Sequence, residues 1–413
     1  MSSEAAATAA IPSAPFDMPR PPGLSWYVQA HHHVGYEVNI TRNLLSPSNP
    51  TLARACGGDG RPGTRCLVVV DSTVDGLYGA RLRDYFAAKG IEPHWLTVPG
   101  DEDSKDLDHV VRVTEAMTDM GILRRTEKVV AVGGGVLLDV VGMAASLYRR
   151  GVPYIRVPTT LLGQVDAGVG VKTGVNQDRH KNRLGTYFAP QTALIDTAFL
   201  RTIDPRHVAN GLAEIIKMAL VKDAVLFGLL ERTAAGLTPD VLADCAPAVG
   251  EMISRAIAGM LDELEPNLWE SVLERSVDYG HTFSPSLELR ADPPLLHGEA
   301  VAVDMAVCLA LAHNRGLLTR ADADRGLALL RATGLPVTDP VFTADLLESA
   351  LRDAVKHRDG LQRVPLTDAI GSVVFVNDIT RDELGRALSY VHSYAERAAA
   401  PGAAALSTLS GAP

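Results

Sequence analysis

The sequence predicts an α/β fold in two parts, a parallel-sheet domain followed by a mostly α-helical domain. Short apolar segments alternate with helical patterns between residues 66 and 196, an order typical of parallel sheets covered by helices. A glycine-rich turn joins one of these segments to the next helical pattern. After about residue 203 the strand patterns nearly vanish, and long helical patterns take over. The two halves are therefore expected to fold differently.

The elements of both halves follow from composition and periodicity. Strands are expected at 66–71, 94–99, 128–133, 154–159 and 192–196, and helices between them at 76–89, 105–120 and 136–147. Further helical patterns cover 206–234, 240–262, 297–316 and 320–333. We expect domains at 25–202 and 203–396. We expect disordered tails at 1–24 and 397–413, because both ends lack the apolar residues that offset ordering entropy.

Bulk properties exclude several classes of protein. A chain of 413 residues is too long for one ordinary core, and a net charge of −10 argues against nucleic-acid and phospholipid partners. The four cysteines are scattered without CxxC spacing, which indicates a reducing cytoplasm and no disulfides. The N-terminus lacks the pattern of a signal peptide, and no apolar run reaches the ~18 residues of a membrane span. A cytoplasmic protein is expected.

Two histidines beside glycines are the most informative feature of the chain. His281 lies in YGHTFSP (279–285) and His297 in LLHGEAVAVD (295–304). A single histidine is more often a surface or core residue than a ligand. Glu214, however, lies in an apolar helical segment, three residues before Lys217. Two imidazoles and one carboxylate are typical of catalytic zinc sites, so Glu214, His281 and His297 are candidate metal ligands.

The glycine-rich turn GGGVLLD (133–139) follows a strand and opens a helix. Glycines let the backbone approach a pyrophosphate, and the helix N-terminus supplies N–H donors, as in Rossmann-like dinucleotide sites. The turn lacks the GxGxxG fingerprint, so a plain tight turn is the alternative. Asp71 ends the first predicted strand, where a carboxylate binds the ribose in such folds. The alternative is that Asp71 only begins a turn.

The segment 159–190 carries many polar residues between apolar ones. Within it stand Asp166, Lys172, Asn176, Lys181, Asn182 and Arg183. A solvated loop is the simple interpretation. Clustered Lys, Arg and Asn also hold phosphates and hydroxyls, which favours an anionic, polyhydroxylated substrate.

Eight separated segments carry a resemblance to a known family. They are PGDEDSK (99–105), GGGVLLDVVG (133–142), RGVPYIRVPTTLL (150–162), VKTGVN (171–176), KNRLGTYFAP (181–190), AEIIK (213–217), YGHTFSP (279–285) and LLHGEAVA (295–302). Together they resemble the sugar phosphate cyclases, the superfamily that includes 3-dehydroquinate synthase, over roughly residues 35–390. The resemblance implies a dehydroquinate synthase-like fold, an NAD-binding domain and a helical metal-binding domain, and a homodimer.

The same resemblance implies roles for individual residues. It makes Glu214, His281 and His297 the ligands of one divalent metal, zinc or cobalt. It implies NAD contacts at Asp71, Glu102, Lys105, Gly134, Gly135, Val136, Asp139, Thr159, Thr160 and Leu162. It implies substrate contacts and catalytic roles at Asp166, Lys172, Asn182, Lys217 and Asp278. It implies phosphate or substrate binding at Arg150, Lys181 and Lys356.

Departures from 3-dehydroquinate synthase narrow the resemblance. Where that enzyme has LNxGHTFGHAIE, this chain has VDYGHTFSPSLE, so that Asp278 replaces an asparagine and Pro285 a histidine. Glu274 stands where an arginine is expected, with Arg275 beside it, and the segment 265–270 (EPNLWE) has no counterpart. A substrate carboxylate would be repelled by Asp278, whereas a neutral ketose phosphate would not. The pattern resembles the 2-epi-5-epi-valiolone synthases, which cyclise sedoheptulose 7-phosphate.

The implied reaction is an NAD- and metal-dependent cyclisation with loss of phosphate. It comprises transient C5 oxidation, phosphate elimination, re-reduction, ring opening and an intramolecular aldol step. It would begin seven-carbon aminocyclitol biosynthesis of the validamycin and acarbose type. The alternatives are 3-dehydroquinate synthase, another heptulose phosphate cyclase giving a different stereoisomer, an iron-dependent alcohol dehydrogenase, and a non-catalytic regulator.

Overall fold

The computed structural model describes residues 28–58, 63–178 and 180–399. The described residues from Tyr36 onward form one compact unit, and those from 28 to 35 belong to a separate one. The tail predicted at 1–24 lies outside the described residues. At the other end the last helix continues through Ala399, past the start predicted for the second tail, and residues 400–413 lie outside the described part.

The first half contains the predicted parallel sheet. The described residues form this sheet and two antiparallel hairpins from the strands β1 (Glu37–Thr41), β2 (Thr64–Asp71), β3 (Ile91–Val98), β4 (Lys128–Gly133), β5 (Tyr154–Pro158), β6 (Lys172–Gln177), β7 (His180–Tyr187), β8 (Thr192–Asp196), β9 (Val364–Ala369) and β10 (Ser372–Val376). The sheet has the order β1-β8-β5-β4-β2-β3, and all its pairs are parallel. All five predicted strands are confirmed.

Alternate residues of the central strands face two different helical layers. Val68 and Val70 of β2 pack into a core with the helices on one face of the sheet, whereas Leu67 and Val69 pack into a core on the other face. Because both faces are covered, the strand is a continuous apolar run rather than an alternating one. This explains why composition alone identified CLVVVD as a strand.

The second half is mostly helical, as predicted, but two of its predicted helices are each divided in two. The helices of the described residues are α1 (Thr51–Ala55), α2 (Ser72–Ala88), α3 (Leu107–Met120), α4 (Gly135–Leu147), α5 (Pro205–Val221), α6 (Ala224–Thr233), α7 (Pro239–Asp244), α8 (Pro247–Leu264), α9 (Ser284–Glu288), α10 (His297–Asn314), α11 (Arg320–Ala332), α12 (Ala344–His357) and α13 (Arg381–Ala399). The predicted helix 206–234 is divided where Asp223 caps α6, and the predicted helix 240–262 where Cys245 adopts a φ of +49°.

Two features of this architecture position the candidate site. The polar segment 159–190 contains the antiparallel hairpin β6–β7 rather than a solvated loop. Helix α10 is almost wholly buried and packs against α5, α9, α11 and α13. Its N-terminus therefore has a fixed position in the helical half. Among the helices of the described residues, none is long and apolar enough to cross a bilayer.

Candidate active site

Three elements bring the predicted metal ligands together. Glu214 lies within α5, His281 follows a 3₁₀ turn at Ser276–Asp278, and His297 is the first residue of α10. Glu214 Oε1 lies 3.7 Å from His281 Nε2 and 3.3 Å from His297 Nε2. One donor atom of each residue lies within 4.8 Å of the other two. We call these three residues the ligand cluster.

The donor atoms of the ligand cluster fit a divalent cation. Nδ1 of His281 lies 3.0 Å from the carbonyl oxygen of Tyr279, and Nδ1 of His297 lies 3.0 Å from Glu288 Oε1. Both Nε2 atoms are therefore left facing Glu214, as is usual for metal-binding histidines. Glu214 is 1% exposed, and its Oε1 accepts no well-directed hydrogen bond from the described residues. A buried oxygen of this kind is stabilised by a cation, and zinc accepts this donor set.

The protonation states of the three ligand residues are set by burial and by their charged neighbours. Burial would raise the pKa of Glu214, but Lys217 and the two histidines hold it well below its usual range. Burial would lower the pKa of His297, but its contacts with the carboxylates of Glu214 and Glu288 raise it to about 10. Burial and the charge of Lys217 lower the pKa of His281. A metal ion that binds Nε2 of His297 must therefore displace a proton.

Two glycines allow the ligand-bearing segments to approach each other. Gly280 has a φ of +74°, a left-handed conformation that glycine adopts without strain. At Gly298 an added Cβ would lie 2.1 Å from the backbone oxygen of Asn210 on α5. The backbone N–H of Gly298 also donates to Asn210 Oδ1 at 2.5 Å. The start of α10 thus packs directly on α5, which places His297 beside Glu214.

We expect Gly298→Ala to push the start of α10 away from α5 and to weaken both stability and metal binding. Overpacking of this kind costs about 1–3 kcal/mol in the free energy of unfolding. Chemical unfolding and zinc titration of the metal-free protein measure the two effects. Gly385→Ala is the matched control, since nothing lies within 4 Å of a Cβ added there on α13. Equal behaviour of the two variants would contradict the close-packing argument.

Lys217 adds a cation to the ligand cluster from the same face of α5. Its side chain is 2% exposed and forms an ion pair with Glu214 Oε2. Burial would lower the pKa of Lys217, but the charges of Glu214 and then Asp166 raise it. Lys217 is therefore a permanent cation at neutral pH. Asp166 lies on a π-helical turn (Gly163–Ala167), a local geometry that is frequent at functional sites.

Glu288 connects the ligand cluster to the predicted phosphate-binding lysine. Its Oε1 contacts His297, and its Oε2 accepts from Lys181 Nζ at 2.7 Å. Burial would raise the pKa of Glu288, but His297 and Lys181 lower it to about 2. Glu288 was not predicted to have a role, although it ends the segment VDYGHTFSPSLE. Its position, seven residues after His281 in that segment, was the available signal.

We expect Glu288→Gln to weaken metal binding roughly 10- to 100-fold, the usual effect of removing the partner of a ligand histidine. Competition with a chromophoric chelator at pH 7 measures this. Because the pKa of Glu288 is lowered from 4.5 to about 2, its contribution to stability is complete above pH ~4.5 and is lost toward pH ~2. The stability difference between the variant and the native protein should shrink over that window.

The control for this prediction is Glu231→Gln. Glu231 also pairs with a cationic side chain, that of Arg325 at 2.8 Å, but it lies on the surface of α6. Its replacement should leave metal affinity unchanged. An unchanged metal affinity in Glu288→Gln would contradict the role assigned to the His297–Glu288 contact.

The predicted cofactor turn lies between β4 and α4. Gly133 ends the strand, Gly134 caps the helix and Gly135 begins it, followed by Val136 in the first turn. The N-terminus of α4 therefore carries unpaired N–H donors and the positive end of a helix dipole. A Cβ on Gly134 would lie 3.2 Å from Thr160 Cγ2, so that Thr160 borders this turn.

Other predicted cofactor residues border the same turn. Asp71 Oδ1 accepts from the N–H groups of Thr73 and Val74, at 2.7 and 3.1 Å, and so caps α2. Asp71 therefore has a structural role at the start of α2, and ribose binding stays a prediction. The N–H of Thr159 donates to the carbonyl oxygen of Gly133 at 3.0 Å. Leu162 directly precedes the π-helical turn.

Polar contacts join the cofactor turn to the β6–β7 hairpin. Lys105 Nζ lies 2.7 Å from Asp139 Oδ2 on α4 and 2.7 Å from Asn182 Oδ1 on the hairpin. Glu102 accepts from Asn176 Nδ2 at 2.8 Å and lies 3.6 Å from Lys181 Nζ. The structure therefore brings the two predicted groups, for NAD and for substrate, next to each other.

A chain of alternating charges lies beside Lys172. Glu270 pairs with both Lys172 and Arg275, Arg275 pairs with Asp278, and Arg358 Nη2 lies 3.9 Å from Asp278 Oδ2. The surrounding protein and the charge of Arg275 lower the pKa of Lys172 to about 8. Its side chain is still 57% exposed, so water moderates this shift. Sequence reasoning missed Glu270 and Arg358.

Two predicted phosphate-binding residues lie apart from these groups. Lys356 is exposed and pairs with Asp353 at 2.7 Å. Arg150 is exposed, and its carbonyl oxygen accepts from Arg124 at 3.3 Å. Within the described part of the chain, neither side chain has a hydrogen bond or ion pair to the ligand cluster. Arg358, two residues after Lys356, lies near Asp278 together with Arg275.

Comparisons with known proteins agree with this geometry. The family model of the 3-dehydroquinate synthase N-terminal part matches residues 95–210, and that of the C-terminal part matches residues 211–356. A 2-epi-5-epi-valiolone synthase from Actinoplanes sp. is 52% identical over 91% of this chain and 95% of that protein. One from Streptomyces hygroscopicus subsp. jinggangensis is 50% identical over 90% of this chain and 91% of that protein.

A solved structure shows the same likeness in three dimensions. The 2-epi-5-epi-valiolone synthase of Streptomyces hygroscopicus subsp. jinggangensis 5008, with NAD⁺ and Zn²⁺ bound, has a TM-score of 0.84 and 50% identity. The match covers 90% of this chain and 100% of that one. The chain therefore belongs to the 3-dehydroquinate synthase-like sugar phosphate cyclases.

Proposed function

We propose that the protein is a 2-epi-5-epi-valiolone synthase, which cyclises sedoheptulose 7-phosphate with loss of phosphate. Identities of 50–52% to two such synthases, over about nine tenths of the chain, support this. The structural observation that carries the proposal is the ligand cluster beside Lys217, with the charge chain Lys172–Glu270–Arg275–Asp278 nearby. This chain of charges favours a substrate whose end near Asp278 is an uncharged hydroxymethyl ketone.

The cofactors of the proposed reaction are NAD and one divalent metal, zinc or cobalt. Glu214, His281 and His297 would hold the metal, and the backbone of Gly134 and Gly135 would hold the pyrophosphate. Bound NAD supplies a reversible hydride acceptor, and the metal polarises the hydroxyl group that is oxidised. The residue assignments rest on the donor set and on the helix N-terminus described above.

The residues of the chain have separable tasks in this proposal. Lys217, a permanent buried cation, opposes negative charge that develops on a substrate oxygen. Lys172, with its pKa near 8, exchanges a proton at neutral pH more readily than an ordinary lysine. Lys181 binds phosphate oxygens and is itself oriented by Glu288. Asp166 and Asn182 would orient substrate hydroxyls. Holding the two reacting ends of the sugar chain close together would favour the final ring closure.

The charge chain argues against a carboxylate-bearing substrate. Arg275 is neutralised by Glu270 and Asp278, and Arg358 also lies near Asp278. A substrate carboxylate would meet two fixed carboxylates and no unpaired arginine in this group. A neutral hydroxymethyl ketone end can instead donate hydrogen bonds to Asp278. This is the observation that favours a heptulose phosphate over the substrate of 3-dehydroquinate synthase.

We also propose the enzyme class of the protein, its oligomeric state and its location. Loss of phosphate makes the enzyme a carbon–oxygen lyase, and we propose that it acts as a homodimer in the cytoplasm. It would begin the biosynthesis of a seven-carbon aminocyclitol of an antibiotic type. We also propose that residues 25–202 and 203–396 are its cofactor and metal domains.

Phosphate release tests the proposed substrate. The zinc- or cobalt-loaded protein with catalytic NAD⁺ is offered sedoheptulose 7-phosphate and, separately, the heptulosonate phosphate used by 3-dehydroquinate synthase. We expect phosphate release from the first substrate alone, and NMR of the product should show the 2-epi-5-epi-valiolone stereochemistry. Turnover of the second substrate would mean that the charge chain does not exclude carboxylates. Another cyclitol from the first would identify a different heptulose phosphate cyclase.

A further inference from the structure

Asp304 is a buried carboxylate on the helix that begins with a metal ligand. It lies two turns after His297 on α10 and is 0% exposed. Its Oδ2 accepts from the backbone N–H of Phe283 at 2.5 Å and of Ser284 at 2.8 Å. Its Oδ1 accepts from the thiol of Cys308 at 3.3 Å. It thus binds the segment that follows His281.

Asp304 lies in an otherwise apolar stretch of α10. The neighbouring positions Val303, Met305 and Ala306 are apolar and buried. Burial raises the pKa of Asp304 to about 6, although the two backbone N–H groups oppose this. A charged group in such a position is unfavourable unless its hydrogen bonds compensate. The two backbone contacts are therefore the specific gain from an aspartate.

Those contacts join the two histidine-bearing segments of the ligand cluster. The segment from His281 to Ser284 is held to α10 through Asp304, and α10 itself begins at His297. The two imidazole rings have centroids 5.2 Å apart. Arg358 also holds this segment by donating to Thr282 Oγ1 at 3.2 Å. Moving the His281 segment relative to α10 would change the separation of the two Nε2 donors.

We propose that Asp304 is a positioning residue that sets the separation of the two metal-binding imidazoles, and hence metal affinity and coordination geometry, without touching the metal. The inference rests on the metal site of the proposed function. The competing account is purely structural, in which Asp304 only satisfies two backbone N–H groups at the start of the short helix α9. That account predicts lower stability but an unaltered metal site.

The test uses the full-length protein, stripped of metal, with zinc and cobalt as probes. Zinc affinity is measured against a chromophoric chelator, and the visible spectrum of the cobalt-loaded protein reports coordination geometry. We expect zinc binding to weaken roughly tenfold in Asp304→Val and up to roughly 100-fold in Asp304→Ala. Both variants should show altered cobalt bands. The valine variant, which fills more of the buried volume and offers no acceptor to the two N–H groups, decides the matter if the alanine variant does not fold.

Asp196→Asn is the matched control, because Asp196 is also a buried carboxylate that accepts from two backbone N–H groups, those of Leu44 at 2.7 Å and Ala198 at 3.0 Å, but it lies at the end of β8 and holds neither histidine-bearing segment. It should lose some stability while keeping native zinc affinity and cobalt spectrum. Native zinc affinity and spectrum in the Asp304 variants would overturn the inference and leave the proposed function standing. Failure of the native protein to bind either metal would overturn the proposed metal site, and the inference with it.

Discussion

His297→Ala is expected to reduce turnover of sedoheptulose 7-phosphate by roughly 1,000-fold or more, since a metal's charge stabilisation is worth several kcal/mol and ~1.4 kcal/mol is tenfold. The variant removes one of three donors and leaves Glu214, 1% exposed, facing a cavity. Zinc affinity should fall together with turnover. Steady-state phosphate release and chelator competition measure the two quantities.

Two controls make the result specific to the metal. NAD affinity should be unchanged in His297→Ala, because the cofactor turn at Gly133–Gly135 lies on a different element. His313→Ala on the same helix should keep native turnover, since His313 contacts Leu318 and Tyr390 rather than the ligand cluster. Near-native turnover of metal-free His297→Ala would contradict a metal-dependent mechanism.

Lys217→Met is expected to separate catalysis from metal binding. We expect kcat to fall roughly 100- to 1,000-fold, the usual loss when one group that stabilises an oxyanion is removed. Metal affinity should be retained or increased, because the ammonium that pairs with Glu214 competes with a metal ion for that carboxylate. Methionine preserves much of the buried volume. Turnover kinetics and zinc competition on one preparation measure both effects.

The matched control is Lys222→Met, one helical turn and a residue further along the chain. Lys222 also pairs with a glutamate, Glu263, but its side chain is 34% exposed. Its replacement should leave kcat and zinc affinity near native values. If Lys217→Met lowers zinc affinity as strongly as kcat, Lys217 supports the metal site rather than the reacting oxygen.

The parallel sheet could be predicted because its strands are buried on both faces. CLVVVD and KVVAVG are continuous apolar runs bounded by turn residues. β1 was missed, since EVNIT is a half-exposed edge strand with little apolar content. The strands of the β6–β7 hairpin were not predicted, because the outward residues of this segment are the polar groups of the site. The polar residues of the site therefore hide the alternating pattern that would indicate strands.

The division of the helices shows a second limit of sequence patterns. The helical period continues from α5 into α6, so that periodicity alone joined them. The break depends on Asp223, whose carboxylate accepts from the N–H groups of Val225 and Leu226 at 2.9 Å each. Helix α13 was missed because its exposed face is highly charged and few of its residues are buried.

The ligand cluster was predicted from residue types, but its supporting contacts were not. Glu288, Glu270 and Arg358 lie 76 to 107 positions from some of their partners, and nothing in local spacing indicates such contacts. Lys356 illustrates the same limit, because the resemblance implied that it binds phosphate or substrate, whereas its side chain in the structure is exposed and pairs with Asp353. Its role in substrate binding stays a prediction. Distances along a sequence do not determine which side of a helix faces the site.

The measurement that tests the central claim most directly uses sedoheptulose 7-phosphate carrying deuterium at C5. The proposed function predicts that the hydrogen is removed and returned within one catalytic cycle. The cyclitol should therefore retain the deuterium, phosphate release should match cyclitol formation, and no NADH should accumulate in solution. Accumulation of deuterated NADH with an oxidised sugar product would contradict the account and identify a net dehydrogenase.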